Sequence, residues 1–292
     1  MTPSDKRLII VAGPTASGKT RRAIELAQSL GTEIVSCDSR QVYSELSIGV
    51  ARPSVEELAM AKHHFIACRS VQKPYNVFDY EQDAVASINQ LFNKYDNVVA
   101  VGGSGLYIDA LINGIAVMPD PTPELRKKLK AMFAEQGIEA FRTLLQAIDP
   151  AYYEVVDKNN PIRLQRALEV SITAGKPYSQ VVAEQHHTQR PFSIEVEVVQ
   201  LPPEMLRERI DRRVDNMMEQ GLFDEVRSLW HLQHLNTLNT VGYREFFAYP
   251  TPQDAASHLD QITAAIKMNT WHYAKKQMTW CKKRYLCQQS DK

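Results

Sequence analysis

Several short stretches of this chain hold residues whose types and spacing could do chemistry. The first is GPTASGKT, residues 13–20, which fits the phosphate-binding pattern G-x-x-x-x-G-K-[ST]. In such a loop the backbone N–H groups of the segment Gly13, Thr15, Ala16, Ser17 and Gly18, with the start of the next helix, cradle phosphate oxygens. Lys19 neutralises those oxygens, and the Thr20 hydroxyl can ligate Mg²⁺. The second is Asp38 in CDSRQVY, which follows an apolar run. A carboxylate there could act as a general base or help hold a metal, although Asp and Ser also cap helices. The third is GGSGLY, residues 102–107, where Ser104 would point its hydroxyl into the same crevice, or simply cap a Gly-rich turn.

Positive charge is clustered too. RLQR supplies Arg163 and Arg166, and RERIDRR supplies Arg207, Arg209, Arg212 and Arg213. The arginine fork suits phosphate, but a solvated helix face also accounts for many such residues. Residues 267–284, KMNTWHYAKKQMTWCKKR, carry Lys and Arg without Asp or Glu, interleaved with Trp271, Tyr273 and Trp280. Basic plus aromatic is the footprint of an RNA-binding face; the alternative is an amphipathic helix with aromatics in the core and lysines in water.

The phosphate motif alone would suggest a nucleotide-driven machine, but the other parts of one are missing. No D-x-x-G tetrapeptide exists for a GTPase switch. NKYD, residues 93–96, imitates a guanine-reading motif but falls before a strand rather than after one. The apolar run that could end in a Mg²⁺-organising Asp ends in Gly102-Gly103 instead. Motor and switch readings fail. A small-molecule kinase using Asp38 survives.

The elements that must position these residues follow from hydrophobic pattern. RLIIVA (7–12), EIVSC (33–37) and NVVAVGG (97–103) are short continuous apolar runs, as buried parallel strands require. Ala23, Ile24, Ala27 and Leu30 repeat at helical spacing, and Gly31 is placed to end that helix. Further helices are expected from Ser54 through VEELAMAKHH and over residues 78–92. Alternation of strand and helix predicts an α/β fold: a P-loop NTPase-like parallel sheet core with helices on both faces. MPDPTP (118–123) then breaks the pattern. From there to about 190 only helices are expected, over PELRKKLKAMFAEQG, IEAFRTLLQAI, NPIRLQRALEVSITAG and YSQVVAEQH. The expected organisation is a core over 1–119, a helical insertion domain over 120–191, and the core again over 192–292. RPFSIEVEVVQLPP restores a strand, and three helical segments follow, the last from about 253 to 285.

The chain has 292 residues and a formal net charge of zero, so only local charge could argue for a nucleic-acid partner. The four cysteines, Cys37, Cys68, Cys281 and Cys287, form no C-x-x-C pair, as expected of reduced thiols in a cytosol. The apolar run near the N-terminus is too short for a signal peptide, and no stretch has the length of a membrane span. A cytoplasmic protein without a membrane partner is expected.

Taken in order, GPTASGKT, DSRQVY, IGVARP, KHHF, GGSGLY, DKNNPIRLQRALEV with AGKPYS, RIDRRVDNMMEQGLFDEV, VGYRE and AKKQMTW resemble the tRNA dimethylallyltransferases, also called tRNA isopentenyltransferases. The resemblance runs through nearly the whole chain. It implies that the loop holds the diphosphate of dimethylallyl diphosphate, and that the five-carbon group moves to the exocyclic amine of an adenine beside the anticodon of tRNA, with Mg²⁺ assisting. It implies Asp38 as base and Ser104 as support for the reacting centre. Lys19, Thr20 with Mg²⁺, Arg163 and Arg213 would stabilise the departing diphosphate. Ser39, Arg40 and Gln41 would meet the flipped base and its neighbours, while Arg126, Arg166, Tyr243, Arg244, Lys275 and Lys276 would hold RNA. Against the family pattern GGTGLY the chain has Ser104, which keeps the hydroxyl. Against IGTAKP it has Val50, which loses one. Without the zinc-finger extension of eukaryotic members, a bacterial-type enzyme acting as a monomer is expected. Other readings are an adenylate isopentenyltransferase acting on free AMP, ADP or ATP, the small-molecule kinase, and a non-catalytic RNA-binding protein.

Overall fold

A computed structural model describes residues 6–115, 118–184 and 189–286. Cys287, noted above, lies outside them. The chain divides into two compact units, Met1–Asn113 with Gln189–Lys292, and Gly114–Thr188.

The first unit is built on five parallel strands: β1 (Arg7–Ala12), β2 (Ile34–Ser36), β3 (His63–His64), β4 (Asn97–Gly102) and β5 (Ser193–Val198), in spatial order β3-β2-β4-β1-β5. Its helices are α1 (Lys19–Leu30), α2 (Val55–Met60), α3 (Val77–Leu91) and α4 (Gly105–Asn113). Because successive strand residues face opposite ways, the apolar runs feed two layers. On one face Leu8, Ile10, Val35, Val98 and Ala100 pack with Tyr80, Ala84 and Ile88 of α3 and Ile108 and Leu111 of α4. On the other, Val11, Ile34, Val99 and Val101 meet Ala23, Ile24 and Ala27 of α1. Gly31 ends α1 at φ 59°, its N–H reaching the Ala27 and Gln28 carbonyls.

The expected helix from Ser54 stops early. Ser54 and Glu57 form a reciprocal capping box, but α2 ends at Met60 and buries none of its residues. Ala61 turns extended, and His63 and His64 pair with Ile34 and Val35 as an edge strand. An edge-strand ladder together with a His64 Nε2–Glu33 contact at 2.6 Å outcompetes a helix with no buried face.

The second unit holds α5 (Pro123–Ile148), α6 (Pro150–Val155), α7 (Pro161–Ala174) and α8 (Tyr178–Ala183). Thr122, Asp149 and Asn160 cap the first three, each with Pro in the first turn. The two helices expected over 123–148 run on as α5, broken at Gly137 (φ 70°, ψ −163°). The short α6 was not expected. Leu129, Phe141, Leu145, Leu164 and Leu168 form this unit's own core. Asp149, almost wholly buried, also ties α8, accepting from the Ser179 N–H at 2.6 Å and the Ser179 hydroxyl at 2.8 Å.

After β5 the first unit resumes with α9 (Pro203–Glu219), α10 (Leu222–Ser228), α11 (Pro252–Ala256) and α12 (Leu259–Cys281). The long last helix expected from 253 is divided at Ser257–His258, and a π-helical turn, 282–286, follows it. Val214, Leu222, Val226, Tyr243, Phe246, Ile262 and Ile266 make a further core around this end of the unit. Cys37, Cys68 and Cys281 are free thiols. Among the described residues no helix is long and apolar enough to cross a membrane.

Candidate active site

The carboxyl ends of β1, β2 and β4 open into one cavity of about 600 Å³. The residues lining it all belong to the first unit. This is where a doubly wound sheet binds ligands, because the loops leaving neighbouring strands part there.

Loop 13–20 leaves β1 and turns into α1. Ala16 (φ 63°) and Gly18 (φ 92°) both take left-handed backbone, which curves successive N–H groups to one side. Only glycine accepts such a value without strain, so Ala16 is a non-glycine outlier of the kind that gathers at ligand sites. No side chain caps α1, and its first turn has no acidic residue. The first-turn N–H groups are therefore left for an anion. Lys19 Nζ rests on the Pro14 carbonyl at 3.2 Å. Burial, and then the Arg213 charge, bring the Lys19 ammonium down to about 8, with Asp38 and then Cys281 opposing. Arg213 reaches Thr15 Oγ1 with Nη1 at 3.0 Å; burial holds this guanidinium below its usual range, and Asp38 pulls the other way. The Ser17 hydroxyl is buried without a hydrogen-bond partner among the described residues. Gly13 is pressed against the Val199 backbone at the end of β5.

Across the cavity, Asp38 follows β2. Its Oδ1 accepts the N–H groups of Arg40 (2.9 Å) and Gln41 (3.2 Å), which fixes the turn. The other oxygen has no hydrogen-bond donor among the described residues. The turn thus engages one oxygen of the side chain and leaves the other free of protein donors among the described residues. Ser104, 8 % exposed, accepts the Ser39 N–H at 3.1 Å and lies 3.3 Å from the Ser39 hydroxyl. Gln41 donates Nε2 to the Val50 and Ala51 carbonyls at 3.2 and 2.9 Å. At residue 50 the cross-brace uses the carbonyl, so the Val50 side chain costs it nothing. Arg40 Nη1 is held by the Thr237 carbonyl at 2.9 Å.

At GGSGLY, Gly103 and Gly105 make room for the protein's own α12. A Cβ on Gly103 would collide with Gln277, and one on Gly105 with the Trp280 ring, at 2.7 Å. Gln277 explains why: its Oε1 accepts the Thr15 N–H at 2.8 Å and its Nε2 donates to the Gly103 carbonyl at 2.8 Å. One buried amide couples the phosphate loop, the tip of β4 and α12. Sequence reading passed over it, although Ile266, Ala274, Gln277 and Cys281 share the buried stripe of that helix.

The basic, aromatic stretch divides its labour. Trp280 packs on Gly105 and donates Nε1 to Asp109 at 3.3 Å. Trp271 packs with Leu206 and Ile210, under Arg207 and Lys275. Tyr273, 42 % exposed, lines the cavity. Its phenol is pushed up to about 12 by burial and then by the Asp38 carboxylate, while the hydrogen bond to Ser104, then Arg40 and Gln277, pull it down. Lys275 and Lys276 stay exposed.

Tyr243 corrects an expectation. It is 0 % exposed and cannot meet RNA; its hydroxyl donates to Glu225 Oε1 at 2.6 Å. Glu225 also accepts the backbone N–H groups of Ser47, Ile48 and Gly49, at 2.8–3.1 Å. VGYRE therefore braces the IGVARP loop. Arg244 beside it is exposed on the cavity rim, with Nε 3.2 Å from Glu245. Arg126, Arg163 and Arg166 belong to the second unit. There Arg126 pairs with Asp120 at 3.1 Å, Arg163 is exposed in the first turn of α7, and Arg166 lies 3.8 Å from Glu169.

Mg²⁺ can be weighed against these groups. Among the described residues no cluster of three or more His, Cys, Asp or Glu could hold a metal. Mg²⁺ that arrives on a diphosphate needs few protein oxygens and keeps its waters, and the Thr20 hydroxyl in the cavity fits that role.

A P-loop α/β core with the Asp38 carboxylate in the same cavity as its uncapped, cationic loop has the layout of a group-transfer enzyme. The profile of the IPP transferase family matches residues 41–284, and the chain belongs to that family. It is 43 % identical over 276 residues to a tRNA dimethylallyltransferase of Christiangramia forsetii, covering 94 % of this chain and 90 % of that one. With a tRNA dimethylallyltransferase of Flavobacterium johnsoniae it shares 42 % over 284 residues, covering 95 % and 91 %. Among solved structures, the full-length tRNA isopentenylpyrophosphate transferase of Bacillus halodurans superposes with a TM-score of 0.67 at 30 % identity, over 96 % of this chain and 88 % of that one. A eukaryotic dimethylallyltransferase acting on tRNA gives 0.79 at 25 % identity, over 94 % and 70 %.

Proposed function

We infer that this protein transfers a dimethylallyl group from dimethylallyl diphosphate to the exocyclic amine of an adenine next to the anticodon in tRNA, releasing diphosphate. The observation that carries the reading is that Asp38, just after β2, shares one cavity with an uncapped, cationic phosphate loop. The names borne by its relatives support a dimethylallyl donor and tRNA as acceptor.

The nitrogen lone pair attacks the allylic carbon C1 as the carbon–oxygen bond to diphosphate breaks. Asp38 accepts the proton that the amine loses, through the oxygen not engaged in the turn. An exocyclic amine is a weak nucleophile, so alignment supplies much of the acceleration. Ser39, Ser104 and Gln41 shape the acceptor side. The adenine must leave its stack to enter the cavity. Lys19, Arg213 and the first-turn N–H groups of α1 take the charge that grows on the leaving diphosphate. Mg²⁺ bound through the Thr20 hydroxyl would supply further charge neutralisation. Arg126, Arg166, Arg244, Lys275 and Lys276 hold RNA phosphates, which makes the helical insertion over 120–191 a tRNA-contacting element. The protein works as a cytoplasmic monomer, since the reaction asks for no second copy.

The test is acceptor choice. The protein is incubated with radiolabelled dimethylallyl diphosphate, Mg²⁺ and either unmodified tRNA or AMP. Label in tRNA is expected. Label confined to AMP would move the protein to the adenylate branch, and label in neither would remove the reading.

A further inference from the structure

Four arginines on α9 lie within seven residues, and their partners sort them. Arg207 pairs with Asp211 at 3.3 Å and Arg212 with Glu208 at 2.7 Å, each one turn apart on the same helix. These two are ordinary helix-face pairs. The other two, Arg209 and Arg213, stand four residues apart on the face that lines the cavity. Arg213 is anchored on Thr15, whereas Arg209 has neither an ion pair nor a hydrogen-bond partner among the described residues. Its Nη1 lies 3.6 Å from the point where a Cβ on Gly18 would stand, directly over the start of α1.

That placement is electrostatically unfavourable in the free protein. The N-terminus of a helix carries partial positive charge, and cations belong at the opposite end. Here Arg209, Lys19 and Arg213 converge on an N-terminus that has neither a side-chain cap nor an acidic residue. Asp38 and Glu57 offset part of this charge at Lys19 and Arg213, and an anion held between the three cations would offset the rest. The two arginines are not equivalent. Arg213 sits within electrostatic reach of Asp38, on the reacting side. Arg209 is one helical turn away, ~6 Å along the axis, and exposed at the cavity mouth.

We propose that Arg209 is a further diphosphate-binding residue, which grips the phosphate farther from the transferred carbon while Arg213 and Lys19 serve the nearer one. The inference rests on the reading of this cavity as a diphosphate site. It gives the site a way to prefer a diphosphate over a monophosphate, because the outer guanidinium is engaged only when a second phosphate is present.

The experiment measures equilibrium binding of inorganic diphosphate, orthophosphate and unmodified tRNA to the full chain, as wild type, Arg209→Ala and Arg209→Lys. Arg209 is exposed and makes no contact that the fold uses, so the variants should keep the wild-type melting temperature. Arg209→Ala should weaken diphosphate binding by about tenfold or more, as loss of a charge-assisted hydrogen bond does, and orthophosphate binding by less than about twofold. Lys should restore part of the loss. tRNA affinity and its salt dependence should not move. Unchanged diphosphate binding in Arg209→Ala would overturn the assignment while leaving the diphosphate site intact. A loss confined to tRNA would also overturn it and give Arg209 to an RNA phosphate. A wild type that binds no diphosphate would remove the underlying site as well.

Discussion

The two walls of the cavity are built on opposite plans. In the phosphate wall, several groups lack a partner among the described residues: α1 has no side-chain cap, the Ser17 hydroxyl has no hydrogen bond, and Arg209 has no carboxylate. In the acceptor wall, nearly everything is tied. Asp38 Oδ1 holds two N–H groups, Gln41 two carbonyls, Arg40 a third, and Glu225 three consecutive N–H groups and a phenol. Unpaired buried donors cost stability unless a ligand supplies the missing acceptor. On the proposed reading, the phosphate wall is completed by its ligand, whereas the acceptor wall is complete beforehand. The difference suits the chemistry. A diphosphate brings many acceptor oxygens and can satisfy loose donors, while a weak nucleophile needs a rigid frame to be aligned.

The comparison can be broken most severely from the phosphate side. Lys19→Ala removes the loop's cation and should cut kcat/KM for dimethylallyl diphosphate by about 10²–10³, the scale for one preorganised charge-stabilising donor. The same residue sets a pH signature. A Lys19 that titrates near 8 carries its charge below that pH and loses it above. Inorganic diphosphate in metal-free buffer should therefore bind more weakly as pH rises through about 8, with proton uptake on binding in that range. A flat profile, measured calorimetrically, would detach Lys19 from the anion.

Next in size is the amide that joins the two walls. Gln277→Leu leaves the Thr15 N–H and the Gly103 carbonyl unpaired and should cost about 1–3 kcal/mol of stability, read by denaturant titration. It should also raise KM for the donor, because the loop loses its brace. A variant as stable as wild type would show that the loop is held by other means. The smallest effect belongs to Tyr243→Phe. Loss of one hydrogen bond to Glu225 should cost about 1 kcal/mol and leave tRNA affinity unchanged, as a fully buried residue requires. A large drop in tRNA affinity with normal stability would return Tyr243 to the RNA surface.

What the sequence made legible tracks these plans. Strand–loop–helix order, the phosphate loop, Asp38 after β2 and the helical segment beyond residue 120 all carry local signals: an apolar run, a fixed Gly and Lys spacing, a capping residue. The missed features are long-range. β3 is two residues whose strand character comes from pairing with β2, not from their own propensity. Gln277 reads as a polar residue among lysines until α12 is laid against Gly103. The resemblance placed Tyr243 with the RNA-holding residues, but it packs in the core with Phe246 and Ile262, and its hydroxyl meets Glu225, eighteen positions earlier. For the glycines of GGSGLY, nothing local says which neighbour approaches.

Asp38 is where the two walls meet, and it permits the most direct test. Asp38→Asn keeps an Oδ1 that can accept from Arg40 and Gln41, so the turn survives, but an amide cannot take up the amine proton. A preformed complex of the variant with unmodified tRNA would be mixed with labelled dimethylallyl diphosphate and followed through a single turnover. The account predicts a transfer rate lower by about 10²–10⁴, with tRNA and diphosphate affinities near those of the wild type. A near-normal rate would contradict Asp38 as the base. A parallel collapse of tRNA binding would make it a residue of the acceptor frame instead.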